Sequence, residues 1–375
     1  MIKISDWQET ANEYLQQKLY SKAGKQGKFK PLLVDNQRVK QSTDKGFSHF
    51  KGSVNPSQGG PCIVHTLGQV GQSLPGVGFS GSKKDGTYLK KRAKNAYFSK
   101  ELARLLTALD SPLNKAYRRT LFDCCSTIVQ EGKKLTAKYC DSRWCNTCNR
   151  IRTAKLINGY KKPLSEFSEP YFVTLTVPNV QGSDLKPCIA GMVRTFANTL
   201  KSNRRAGIAF NGIRKLECTY NAIDDNYHPH FHVIIDGEIN ARALLAGWLQ
   251  RYSIADEKGQ DCRPADPDSW IELFKYTTKL VTKTKGEGFR IYIPALDRIF
   301  QAMYRVRTFQ SFGCVRMVPE EITELQSEEY EIEPYEFLVW LWEGNDWQSM
   351  TTGKALTGYK PSPRMNELLT DKVVT

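Results

Sequence analysis

IRKLECTYNAIDDNYHPHFHVIID, residues 213–236, is the stretch on which the reading of the fold turns. IRKLECTY (213–220) and HPHFHVIID (228–236) are rich in β-branched and apolar residues, and the segment between them carries Asp224, Asp225 and Asn226. That pattern predicts two antiparallel strands joined by a longish loop. Side chains alternate along a strand, so His230 and His232 share one face while Phe231 and Val233 share the other. The chain has only five histidines, and three of them, His228, His230 and His232, stand here at every second position. One histidine on such a strand would be an ordinary residue with no ligand role. Two imidazoles at neighbouring same-face positions can converge on one cation. The facing strand can supply a third ligand, and Glu217 is the best-placed carboxylate. Two imidazoles and one carboxylate, with positions left open for substrate oxygens, suit Mn²⁺ or Mg²⁺. His228 is assigned an auxiliary place, because Pro229 disturbs the strand beside it.

Further elements follow on both sides. YFVTLTV (171–177) reads as a strand closed by Pro178 and Asn179. Residues 185–202 and 239–253 read as helices. SWIELFKYTTKLVTK (269–283) reads as another, with Ser269 as its N-cap. RIYI (290–293) reads as a strand, and Pro294 opens a helix towards Arg305. Strands interleaved with helices around an antiparallel hairpin make an α+β core over residues 165–315. A helical pattern begins near Ala96, and residues 21–92, rich in Gly, Lys, Ser and Gln, read as loops. The chain therefore divides into a basic region at 1–92, a helical segment with a cysteine cluster at 93–165, a core at 166–318 and an acidic and aromatic segment at 319–375. The run FLVWLW (337–342) in that last segment is expected to pack on the core, since left exposed it would invite aggregation.

The 269–283 helix would carry Glu272, Tyr276 and Lys279 at i, i+4 and i+7, on one face. A tyrosine can act as a covalent nucleophile. Glu272 could serve as general base on the tyrosine or on a water. Lys279 could neutralise developing charge or lower the phenol pKa. Taken alone, this is an ordinary amphipathic helix; the histidine strand upstream is what makes it chemically suggestive.

The net charge is +15, which favours a polyanionic partner, with nucleic acid the default. No apolar run of about 18 residues and no leader-type apolar segment occurs, so a cytoplasmic location with no membrane contact is expected. Ten cysteines in such a chain are not expected to form a disulfide framework. Five cluster as CC-x14-C-x4-C-x2-C over 124–148. Cys145 and Cys148 form half of a zinc site, and Cys140 with one of Cys124 and Cys125 completes four thiolates, Cys125 being slightly preferred and Cys124 the alternative. Four thiolates leave no open position, so this Zn²⁺ would be structural. Arg143, Arg150, Arg152 and Lys155 surround the cluster, the last three on a helical pattern expected to lie near the surface, and are candidate contacts to DNA phosphates.

The ordered set of segments resembles the replication initiator (Rep) proteins of rolling-circle plasmids, in the HUH endonuclease superfamily. YFVTLTVPN (171–179) is similar to the family's first motif. HPHFHVII (228–235) is similar to the second, with His230 and His232 flanking the bulky Phe231. ELFKYTTK (272–279) is similar to the third, with Tyr276 as nucleophile and Lys279 three residues on. One branch of the family has a Glu four residues before the Tyr, where it activates water to end replication by hydrolysis; Glu272 fits that branch. ECTYN (217–221) resembles the segment ahead of the histidines, which supports Glu217 as third ligand. The resemblance implies a central antiparallel sheet flanked by helices and a metal-dependent nick in single-stranded origin DNA. It implies too a covalent 5′-phosphotyrosine intermediate, with a host helicase and polymerase as partners. A transposase or relaxase of the same superfamily, or a non-catalytic zinc-containing DNA-binding protein, remain as alternatives.

Overall fold

In the computed structural model, which describes residues 86–274, 279–284, 288–322 and 325–375, the hairpin forms as expected from its alternation. Strand β4 (Gly212–Asn221) pairs antiparallel with β5 (Asn226–Asp236). Their turn places Asp225 at φ 47°, a left-handed conformation that short polar side chains tolerate. The Tyr220 hydroxyl donates to Asp225 Oδ1 at 2.8 Å and holds the turn. At the other end Gly212 lies so close to β5 that a Cβ there would stand 2.4 Å from the Ile234 carbonyl oxygen.

The hairpin sits inside a five-stranded sheet. Strands β3 (Pro170–Thr176), β6 (Asp261–Pro264) and β9 (Phe309–Phe312) complete it in the order β6-β3-β5-β4-β9. Every neighbouring pair is antiparallel. Helices α4 (Leu185–Arg205), α5 (Glu238–Arg251) and α7 (Ile293–Ala302) cover one face. There Phe231, Val233 and Leu216 pack with Phe196, Trp248 and Ile299. Helices α3 (Asn146–Ser165) and α6 (Pro267–Phe274) cover part of the other, where Phe172, Ile213 and Ile234 meet Leu156, Tyr160 and Leu273. Each such side chain contributes about 1.5–3 kcal/mol by leaving water. Further along this second face the residues turn polar. Thr174, Lys215, Glu217, His230 and His232 follow the apolar stretch on the same side of the sheet.

The cysteine segment belongs to a second sheet. Helices α1 (Gly86–Thr107) and α2 (Asn114–Phe122) precede the hairpin of β1 (Thr127–Gly132) and β2 (Lys134–Lys138). Chain-distant strands β10 (Leu325–Glu329), β11 (Tyr335–Glu343) and β12 (Asp346–Ser349) extend it in the order β10-β2-β1-β11-β12. Thr127 pairs with Leu341 and Val129 with Val339. A third, small sheet orders β13 (Val373–Val374), β8 (Gly288–Tyr292) and β7 (Thr282–Thr284), with β13 parallel to β8. Helix α8 (Pro363–Leu369) buries Met365 and Leu368 in the same core as Phe98 and Ile291.

Several expectations change. Residues 86–92 are helical, not loop, because α1 starts at Gly86. The 319–375 segment is no separate body: it supplies three strands to the cysteine segment's sheet and one beside β8. The aromatic run packs on one side only, with Leu338 and Trp340 buried and Phe337 exposed. The helix expected over 269–283 ends, among the described residues, at Phe274, and Thr282–Thr284 is a strand, in keeping with its β-branched residues. Its cap is Asp266, whose Oδ1 accepts from the Ser269 N–H at 2.8 Å, so Ser269 sits in the first turn. Cys314 is disulfide-bonded, whereas the five clustered cysteines are free thiols. Among the described residues no helix is long and apolar enough to cross a membrane.

Candidate active site

Strand register builds the site. Glu217 stands directly across from His230, and Lys215 across from His232; on the other flank Thr176 and Thr174 oppose the same two histidines. One ligand atom from each of Glu217, His230 and His232 lies within 4.8 Å of the others, and all three residues are buried. His232 Nε2 is 3.7 Å from Glu217 Oε2. The other ring nitrogens are occupied. His230 Nδ1 donates to the His228 carbonyl at 3.1 Å, and His232 Nδ1 lies 3.3 Å from Thr174 Oγ1. A proton held at Nδ1 leaves the Nε2 lone pair for a cation, the usual way a ligand histidine is oriented. Burial pushes the His230 imidazole below its ordinary value, keeping it neutral. Burial alone would raise the Glu217 carboxyl, but Lys215 and the two histidines outweigh it and hold the group down at about 2. A divalent cation needs a free ring nitrogen on each imidazole and an ionised carboxylate, so the Nδ1 contacts of both histidines and the low-pKa Glu217 fit Mn²⁺ or Mg²⁺.

Two neighbours complete the site. Glu272, at the end of α6, brings Oε1 to 3.8 Å from His232 Nε2. Lys215, fully buried, donates to Glu217 Oε2 at 2.8 Å and to the Glu272 backbone carbonyl at 3.0 Å. Sequence reasoning missed Lys215, although its place two residues before Glu217 puts both on one strand face. His228 lies beside the three-residue cluster and outside it. Its ring stacks on His230 with centroids 5.0 Å apart, and its Nδ1 is 2.9 Å from Asn179 Oδ1. Burial and the neighbouring His230 lower its pKa to about 4. Tyr276 lies outside the described residues. Lys279 is exposed in a non-helical segment, so the single helical face expected for Glu272, Tyr276 and Lys279 does not extend to it.

The cysteines also converge. Cys124, Cys140, Cys145 and Cys148 bring their sulfurs within 4.8 Å of one another. Individual separations are 3.7 Å for Cys124 to Cys145, 3.7 Å for Cys124 to Cys148 and 3.5 Å for Cys140 to Cys148. A tetrahedral Zn–S₄ site with bonds of about 2.3 Å needs sulfurs about 3.8 Å apart. The donor set therefore fits Zn²⁺. The preferred fourth residue is corrected: Cys124, not Cys125, faces the other three. Cys125 has φ 55°, which turns its side chain away, and its sulfur takes a hydrogen bond from Arg92 at 3.2 Å.

The basic residues around the cluster divide. Arg152 is buried, not surface-facing. Its guanidinium donates to Asp141 Oδ1 at 2.6 Å, Asn149 Oδ1 at 2.5 Å and the Glu320 carbonyl at 3.0 Å. It ties α3 to the loop before it and to the segment after β9. Arg152→Met should lower stability by about 2–3 kcal/mol, the cost of leaving buried acceptors unpaired. The salt dependence of DNA binding should stay as in wild type; a shallower dependence would return Arg152 to the DNA contacts. Lys155 is exposed and donates to the Glu321 carbonyl at 2.8 Å. The Arg150 guanidinium covers the Tyr88 ring at 4.9 Å. Arg143 is partly exposed, with Nη2 3.3 Å from Glu320 Oε2.

A family model described as "Replication protein" matches residues 132–236, a range that holds Glu217, His230, His232 and three of the four clustered cysteines. The "Protein rep" of Staphylococcus aureus is 30% identical over 154 residues, which are 40% of this chain and 67% of that protein. The chain belongs to the family of plasmid Rep replication proteins. Another "Protein rep", from a Bacillus species, is 36% identical to this Rep chain over 108 residues, 28% of this chain and 35% of the relative. A third, from Streptococcus pneumoniae, is 28% identical over 135 residues, 32% of this chain and 42% of the relative. The shared part is thus two thirds of the first relative and less than half of the other two. No solved structure matches the chain.

Proposed function

We propose that this Rep protein initiates plasmid rolling-circle replication as an HUH-type nickase, cutting one strand of origin DNA. The observation that carries the reading is the meeting of Glu217, His230 and His232 within 4.8 Å, with Glu272 3.8 Å from His232, in a Rep-family chain. A divalent cation held by Glu217, His230 and His232 would supply charge stabilisation at a phosphate oxygen. Tyr276 is the nucleophile: its phenolic oxygen bonds to phosphorus, the P–O3′ bond breaks, and the 3′ oxygen leaves as a hydroxyl once protonated. Glu272 takes the tyrosine proton, or later the proton of a water that attacks the phosphotyrosine. Lys279 follows Tyr276 closely enough in sequence to offset phosphate charge. Zn²⁺ on Cys124, Cys140, Cys145 and Cys148 would be structural, since four thiolates leave no position for substrate.

The test is incubation with labelled single-stranded DNA from the cognate origin, in Mn²⁺ and in EDTA, followed by a denaturing gel. A covalent protein–DNA band is expected with Mn²⁺ alone and not in Tyr276→Phe. Glu272→Gln should slow turnover of that band about 10²–10⁴-fold, the usual worth of a general base. Equal cleavage by Tyr276→Phe would remove the nucleophile assignment. DNA binding with no band in either condition would leave a binding protein in place of an enzyme.

A further inference from the structure

A cleft of about 450 Å³ opens beside the cysteine cluster, between α2, the loop that leads into α3, and the end of α7. Three arginines from these three segments line it: Arg119, Arg143 and Arg305. Of its two lining carboxylates, Asp141 is neutralised by Arg152 at 2.6 Å, which leaves Glu321; Arg143 is partly exposed and shares its charge with Glu320, 3.3 Å away and outside the lining. One wall is aromatic. Trp144 and Phe300 lie with ring centroids 5.2 Å apart and are themselves buried. At the rim Tyr304 is 48% exposed, and the Arg305 guanidinium sits 5.3 Å from its ring centre. Arg305 holds φ 58°, a left-handed conformation that costs a residue with a Cβ about 1–2 kcal/mol and that glycine would adopt freely.

Guanidinium groups bind phosphates, and an exposed aromatic ring stacks bases of any identity. A free anion would leave the ring unused, and an acidic peptide would use neither the ring nor the apolar wall. A base with its flanking phosphates uses all three, and the volume is that of an ordinary small-molecule cleft. We propose that this cleft binds an unpaired nucleotide of single-stranded DNA, the base against Tyr304 and the phosphates on Arg119, Arg143 and Arg305. The inference rests on the DNA-nicking reading for its ligand class, but not on Glu217, His230, His232 or Tyr276. It gives the protein a second hold on the displaced strand, built on the same loop as Cys140.

The full chain should be photocrosslinked in EDTA to a bromodeoxyuridine-substituted single-stranded oligonucleotide, and the modified peptide identified by mass spectrometry. A cross-link at Tyr304 is expected. Tyr304→Ala should weaken single-strand binding about tenfold, the range of one lost stacking contact. Arg305→Gln should reduce the slope of log affinity against log salt by about 0.7, one phosphate contact on a single strand. Thermal melting of both variants should match wild type, since both side chains are exposed. Absence of a Tyr304 cross-link, or unchanged affinity and slope in both variants, overturns the cleft. Nicking that persists alongside those negatives removes the cleft and keeps the nickase. A Tyr304 cross-link in a chain that never nicks keeps the cleft and removes the nickase.

Discussion

Lys215→Met is expected to destabilise the protein by about 3–5 kcal/mol, the range found when one partner of a buried ion pair is deleted. Both partners are out of water: Lys215 has no exposed surface and Glu217 only 3%. Without the ammonium 2.8 Å away, Glu217 would face the sheet interior with only His230 and His232 beside it. The same substitution also frees Glu217 Oε2, the oxygen that lies 3.7 Å from His232 Nε2. A divalent cation held by Glu217, His230 and His232 would therefore lean on the same carboxylate as Lys215, and the two would repel each other. Mn²⁺ should stabilise Lys215→Met more than it stabilises wild type, because binding to the native state alone raises stability with the logarithm of affinity. Urea unfolding of both proteins, in EDTA and in Mn²⁺, checks this. Equal Mn²⁺ gains in the two would mean that the ammonium and the cation do not share Glu217. A variant as stable as wild type in EDTA would mean that Glu217 takes up a proton in place of the lost partner.

Lys215 has a second partner, the Glu272 backbone carbonyl at the end of α6. It thus joins the strand that carries Glu217 to the helix that carries Glu272, just ahead of Tyr276 in the chain. Lys215→Arg should keep the charge but not this geometry, since a planar fork replaces a compact ammonium.

Period-two alternation is enough to predict that His230 and His232 share a face, and an antiparallel hairpin is enough to bring Glu217 opposite them. Both are local signals, and both are what the structure contains. Lys215 carried no such signal, because a lysine in a strand reads as solvated unless its pairing partner is known. Arg152 failed for a related reason: helical spacing alone does not say that Asp141 and the Glu320 carbonyl will turn inward to meet it. The pairing of Thr127 with Leu341 spans more of the chain than any periodicity can reach, so the joint sheet of the cysteine and C-terminal segments was invisible. For the 269–283 segment the apolar spacing of Trp270, Ile271, Leu273 and Phe274 marks the helix correctly, but the β-branched Val281 and Thr282 at its far end favour extended backbone.

The cysteine pair shows how one dihedral angle decides which thiol joins the sulfur cluster. Cys124 and Cys125 are equivalent in spacing, but the left-handed backbone at Cys125 sends their side chains in different directions. The Cys125 N–H donates to the Lys138 carbonyl at 2.7 Å and its carbonyl accepts from Trp347 Nε1 at 2.6 Å, so the backbone cannot rotate to exchange the two thiols. Purified wild-type protein should carry one Zn²⁺ per chain, Cys125→Ser should keep it, and Cys124→Ser should lose it. The stability effect of that loss should be large. Structural zinc sites contribute about 10–16 kcal/mol of apparent binding energy, as much as the whole stability of a typical domain. Cys124→Ser should therefore melt the β10-β2-β1-β11-β12 sheet, whose core includes all five of the clustered cysteines. Metal content by mass spectrometry and circular dichroism of the two variants make the comparison. Zinc kept by Cys124→Ser and lost by Cys125→Ser would reverse the assignment. Zinc absent from the wild type, with the sheet intact, would make the four sulfurs a buried thiol cluster whose packing alone holds the sheet.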